Sequence, residues 1–138
     1  MYDSGKYNKA IEGLDQIQKN VVNHTKNKKD IQGLVYYWKG LCYVKLNEFE
    51  LANGFLEKAI DIKFNAKDIH YEHGQSLYAL DKLKSARIAF KKSIRKKFKM
   101  AVSLYYIAYI SQQLKDYKKA VAFYNAIEKL GDDEKADV

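Results

Sequence analysis

KDIHYEHGQSLYALDKLKSARIAFKKSIRKKFKM fills residues 67–100, and AVSLYYIAYISQQLKDYKKAVAFYNAIEKLGDDE fills residues 101–134. Laid one above the other without a gap, the two stretches share a rhythm. Gly74 falls over Ala108, Leu80 over Leu114, Leu83 over Tyr117, Ala86 over Ala120 and Phe90 over Tyr124. Stepping back by the same 34 residues finds Gly40, Leu46, Phe49, Ala52 and Leu56. Five columns with one period mark a chain built from a repeated unit, each unit too small to bury its own apolar face and therefore stacked on its neighbours.

Each unit reads as two helices. In residues 31–46 apolar side chains recur three and four apart, Asn47-Glu48 interrupts, and Phe49, Ala52, Leu56, Ala59 and Ile60 then share one side of the next helix. The next pairs are expected at about 67–80 with 83–97, and at about 101–114 with 117–130. Asp81-Lys82 and Lys115-Asp116 are the connections, short enough to force antiparallel neighbours. Gly131 followed by Asp132-Asp133-Glu134 reads as a helix stop. The small residues Gly40, Gly74 and Ala108 face Ala52, Ala86 and Ala120, which implies close helix crossings. A glycine inside a helix costs about 1 kcal/mol against alanine, so two at one fixed position point to packing.

Toward the N-terminus the rhythm changes. Ala10 precedes Ala52 by 42 residues, one period plus eight. The excess is assigned to an insertion around His24-Thr25-Lys26-Asn27-Lys28-Lys29, which would lengthen a helix or loop. Tyr7, Ala10, Leu14 and Ile17 fit the second helix of a unit whose first helix is not in the sequence. The expectation is a chain cut from a longer array, or an apolar face covered by another copy.

Composition fits this picture. The 138 residues contain no proline and 7 glycines, which suits helices, and one domain of this length buries a core when regularly stacked. The single cysteine, Cys42, excludes an internal disulfide. No run of about 18 apolar residues occurs, and the first residues do not resemble a signal peptide, so a soluble domain is expected, with the cytoplasm slightly favoured. The net charge is +8. Lys82, Lys84, Arg87, Lys91, Lys92, Arg95, Lys96, Lys97 and Lys99 crowd into 82–99 with no acid among them, and without these nine the rest of the chain is slightly acidic. Such a run is either a solvated outer face or a contact for an acidic or polyanionic partner.

Tyr36, Gly40, Tyr43, Ala52, Leu56 and Ala59 together resemble the tetratricopeptide repeat family. His70, Gly74, Leu77, Ala86, Phe90 and Ser93 match that pattern less closely. Leu104, Ala108, Ser111, Ala120, Tyr124 and Ile127 keep its period with several changed types. Phe64 and Phe98 stand where the family often has proline. The resemblance implies an all-α, right-handed superhelical solenoid of antiparallel helix pairs, as one domain. A partial repeat over 1–30 would be followed by full repeats at about 33–66, 67–100 and 101–134.

The resemblance also implies a function, a protein-interaction module in which the first helices line a concave groove. Tyr37, Tyr71 and Tyr105 occupy equivalent sites there, with Trp38, Leu41, Gln75, Tyr78, Tyr106, Tyr109 and Gln112 nearby, an aromatic trough suited to a peptide or helix of another protein. The bland alternative is that these rings pack between helices. The family's mode of gripping a C-terminal carboxylate with basic groove residues is not expected, because the matching sites carry Tyr37, Leu41, Asp68 and Glu72. Lys91, Lys92, Arg95, Lys96 and Lys99, on a second helix and so on the convex side, are candidate contacts for an acidic partner. Nucleic acid or an anionic surface is the lesser alternative, since stacking aromatics map to the other side. A self-assembling structural array through the uncovered first helix is the competing function. His70, His73 and Cys42 read as packing residues rather than a metal site. No phosphate loop or paired nucleophile and base supports catalysis, and no cofactor is expected.

Overall fold

The computed structural model describes residues 4–21 and 28–135, and every regular element among them is helical. The order is α1 (Ser4–Val21), α2 (Lys28–Lys45), α3 (Phe49–Asp61), α4 (Ile69–Ala79), α5 (Leu83–Arg95), α6 (Met100–Gln113), α7 (Tyr117–Glu128) and the single turn α8 (Asp132–Lys135). The expected helix pairs are present within three residues of their read boundaries. Of the expected insertion, 24–27 lie outside the described residues, whereas Lys28 and Lys29 open α2. None of the described helices is long and apolar enough to cross a membrane. The chain divides into two compact units, residues 1–69 and 70–138.

The turns inside the hairpins repeat with the sequence. Asn47, Asp81 and Lys115 all have left-handed backbones, at φ 59, 61 and 63°. After each, Glu48, Lys82 and Asp116 take φ/ψ near −93/72, −89/69 and −92/70°. The amide of Glu48 donates to the Tyr43 carbonyl, that of Lys82 to Leu77 and that of Asp116 to Ser111, at 2.9, 2.9 and 2.8 Å. These bonds satisfy helix-end carbonyls that would otherwise be orphaned. Lys63 and Lys97 repeat the left-handed conformation between hairpins.

In the first unit α2 packs between α1 and α3. The backbone of Gly40 lies so near α3 that a Cβ there would meet Leu56 Cγ and Cδ2 at 2.7 Å. Leu56, Ala52 and Ala59 are fully buried, with Tyr37 and Ile69 completing the cluster. Lys39 is buried as well. Its ammonium pairs with Asp15 and donates to Gln18 Oε1 at 3.3 Å, while lying 4.9 Å from the Phe55 ring centroid. A buried ammonium is tolerated only with such partners, so Lys39 ties α2 to both α1 and α3.

The second unit follows the same logic. A Cβ on Gly74 would meet the Phe90 ring at 2.9 Å, so α4 crosses α5 at the expected glycine. Ala86 and Phe90 are fully buried, and Ile107 and Ile110 of α6 join them in one core. Arg87 links α5 to the next hairpin, donating to Ser111 Oγ at 3.1 Å and reaching Asp116 Oδ2 at 3.6 Å. Ala120 is buried on α7, but Ala10, the earliest member of that column, is exposed on α1.

Candidate functional site

The expected trough residues fall in both units. Tyr37, Trp38 and Leu41 lie on α2 in the first; Tyr71, Gln75, Tyr78, Tyr105, Tyr106, Tyr109 and Gln112 lie on α4 and α6 in the second. Their environments differ sharply.

Tyr37 and Tyr71 are not open rungs of a ladder. They are 9% and 7% exposed. The Tyr37 ring lies 5.2 Å from that of Phe64, and its hydroxyl donates to Asp68 Oδ1 at 2.6 Å. Tyr71 meets Phe90 and Phe98 edge-on at 5.9 and 5.8 Å, and its hydroxyl accepts from Gln75 Nε2 at 3.0 Å. The Lys99 ammonium covers its ring at 5.4 Å. Burial, with Tyr106 and Glu72 adding to it, pushes the Tyr71 phenol up to about 12. The phenylalanines at the inter-hairpin turns, 27 residues further along the chain, fold back on these rings. Gln75 is committed to the Tyr71 hydroxyl for the same reason. Leu41 is half-buried against the first unit's core.

Tyr105 is 51% exposed, and Tyr109, one turn along α6, is exposed beside it. Their rings stack at 6.4 Å and 13°. Around them stand Tyr78, Tyr106 and Tyr124. Tyr106 forms the floor, stacked on Phe90 at 4.5 Å and edge-on to Tyr78 at 5.3 Å. Burial raises the Tyr78 phenol, helped by Tyr109, Tyr106, Asp81 and Tyr105; burial, Tyr105 and Tyr109 do the same to Tyr124. Five phenols therefore share one neighbourhood.

Tyr124 shares its column with the fully buried Leu56 and Phe90 but is not packed as they are. Instead its ring meets Tyr105 edge-on at 6.1 Å and its hydroxyl donates to Gln112 Oε1 at 3.1 Å. Gln112 itself is exposed.

Trp38 is exposed and touches Tyr37 edge-on at 5.3 Å. With Cys42 it forms one wall of an apolar groove of about 330 Å³ whose other wall is Ala10, Gly13, Leu14 and Ile17 of α1. Cys42 is a free, buried thiol, pushed up by that burial.

Of the five candidate cations, Lys92, Arg95 and Lys96 are exposed on or just after α5. Lys91 is half-buried, with its ammonium 5.7 Å from the Phe123 centroid. Lys99 covers Tyr71 as described. His70 is held below its usual value, first by burial and then by Lys92, His73 and Lys96. Among the described residues no group of three or more His, Cys, Asp or Glu side chains is arranged to hold a metal ion.

The fold is similar to that of MamA from AMB-1 in two solved structures. One shares 17% identity over 92% of this chain and 90% of the other, with a TM-score of 0.65. The second shares 16% identity over 91% and 89%, with a TM-score of 0.64. No curated protein matches the chain. The model of the tetratricopeptide repeat family matches residues 34–65 and 101–130, the α2–α3 and α6–α7 hairpins, with the α4–α5 hairpin between them. Matched spacing, repeated turn geometry and small residues at the crossings agree with that match, which identifies the α2–α3 and α6–α7 hairpins as tetratricopeptide repeats.

Proposed function

We propose that this chain is a protein-interaction module that holds a peptide or helix of a partner protein on the tyrosine cluster of its second unit. Tetratricopeptide repeats generally mediate protein–protein interaction. The observation that carries the finer reading is the stacked, exposed pair Tyr105 and Tyr109, with Tyr78, Tyr124 and Gln112 beside it. Tyrosine supplies wide apolar area at little entropic cost and a hydroxyl for orientation, as binding surfaces need. The first helices α4 and α6 present Tyr78, Tyr105, Tyr109 and Gln112, as the repeat family implies for a binding face, and α7 adds Tyr124. Tyr37 is packed inside the first unit and Tyr71 inside the second, so neither is offered to the ligand.

The test is selection of peptides from a displayed library on the intact chain, followed by Tyr105→Ala with Tyr109→Ala. Both rings are exposed, so the fold survives, which circular dichroism verifies. Affinity for the selected peptides should fall about tenfold or more. Unchanged affinity, or failure to select any peptide, would overturn the proposal.

The competing reading, a self-assembling array, draws on the apolar groove between α1 and α2. Light scattering across a concentration series separates the two. A mass that grows with concentration and reverts on Ile17→Glu favours assembly.

A further inference from the structure

Helix α5 of the second unit carries Lys84, Arg87, Lys91, Lys92 and Arg95 and no acid. Two of these cations are occupied within the fold, Arg87 by Ser111 and Asp116 and Lys91 over Phe123. The crowd is still under-compensated. Lys91 is held below its usual value by burial, Arg87, Lys119 and Arg95, with only Asp116 opposing. Lys84, Lys92 and Arg95 are exposed, and none of them has an ion-pair partner among the described residues.

Packing does not require positive charge here. One period earlier the columns of Lys84, Lys91 and Arg95 hold Glu50, Glu57 and Asp61 on α3. The repeat thus accepts either sign, and the basic choice on α5 has to be explained by something outside the stack. In the middle of the cations stands Ile88, 56% exposed. Residues three and four apart share a helix face, so Lys84, Lys91 and Lys92 surround it and Arg95 extends the line.

We infer that the exposed face of α5 is a second docking surface, which takes an acidic amphipathic segment of another protein, with carboxylates on Lys84, Lys92 and Arg95 and an apolar side chain on Ile88. Charge complementarity gives the sign of the partner, and Ile88 gives its class. A phosphate backbone offers nothing to an isoleucine, and the aromatic ring of α5, Phe90, is fully buried and so provides no platform for a base. This surface lies on a different helix from the tyrosine cluster and stands whether or not that cluster binds a peptide.

The probe is a labelled helical peptide with glutamates spaced one turn apart around a central leucine, followed by fluorescence anisotropy with the intact chain. Saturable binding is expected. Ile88→Ser, the double variant Lys84→Glu with Arg95→Glu, and replacement of the peptide's leucine by serine should each weaken it about tenfold. Tyr105→Ala should leave it unchanged. If the charge reversal disturbs the helix, Lys84→Gln with Arg95→Gln is measured in its place. Absence of binding, indifference to Ile88→Ser, or equal or tighter binding of oligothymidylate or of phosphatidylserine vesicles would overturn the inference.

Discussion

Phe98 meets Tyr71 edge-on, with 5.8 Å between ring centroids and 64° between planes. Tyr37 and Phe64 hold the same positions one period earlier and pack tilted, at 5.2 Å and 33°. The residue in that position relative to Tyr105 is Asp132, and Tyr105 is open. The aromatic at the inter-hairpin turn therefore decides whether the ring behind it packs or faces solvent. Phe98→Ala should cost about 2 kcal/mol, less than a fully buried phenylalanine because Phe98 is half-buried. It should also lower the Tyr71 titration. With Tyr71 at about 12 against an ordinary 10.0, the folded state resists ionisation. That contribution is intact below pH 10.0 and is lost as pH rises toward 12. Ultraviolet titration of wild type and Phe98→Ala, with urea unfolding at neutral and alkaline pH, checks both parts.

The glycines separate into two kinds. Gly74→Ala would set a methyl 2.9 Å from the Phe90 ring, and Gly40→Ala one 2.7 Å from Leu56. Overpacking costs about 1–3 kcal/mol, and the helix-propensity gain of about 1 kcal/mol offsets only part of it. Both variants should lose stability. A Cβ on Gly54 meets nothing within 4 Å, so Gly54→Ala should gain about 0.5–1 kcal/mol. Chemical denaturation that shows the same sign for all three would contradict the close-crossing account.

The hairpin turns store backbone strain. Asn47, Asp81 and Lys115 are left-handed without being glycine, at a cost near 1–2 kcal/mol for an ordinary side chain. Lys115→Gly should therefore stabilise by about 1 kcal/mol, Asp81→Gly by somewhat less and Asn47→Gly least, since Asn tolerates this conformation. Thermal melts should rank the three in that order.

Acid should weaken the second unit through His70. Burial, Lys92, His73 and Lys96 disfavour its imidazolium in the folded state, so the unfolded chain takes up the proton first. The stabilising effect is full above the ordinary value of 6.5 and is lost as pH falls below it. Unfolding free energy measured from about pH 7.5 down to about pH 5 should decline, and His70→Leu should flatten that decline. An unchanged slope would show that another group controls it.

Much of the hairpin architecture was legible in the chain. The period located the close crossings at Gly40 and Gly74, but the side chains that meet them are Leu56 and Phe90 and not the expected Ala52 and Ala86. The site was only partly legible. Tyr37, Tyr71 and Tyr105 are identical residues at one column, and no property of the column says which will be buried. Phe64 and Phe98 were noticed as replacements for proline, but their rings were not assigned to Tyr37 and Tyr71. Tyr124 shares a column with the buried Leu56 and Phe90, yet its hydroxyl reaches Gln112. Lys39, in a sequence of apolar neighbours, gave no hint of its pairing with Asp15.

By itself the sequence determined the helices, their pairing and their small-residue crossings, because periodicity and side-chain volume act along the chain and need no knowledge of distant neighbours. Only the tertiary structure decided which tyrosines remain available. Exposure depends on what folds over a ring, and at Tyr37 and Tyr71 that cover comes from turns far along the chain. Tyr105 has an acid where they have phenylalanine, and it keeps its face open.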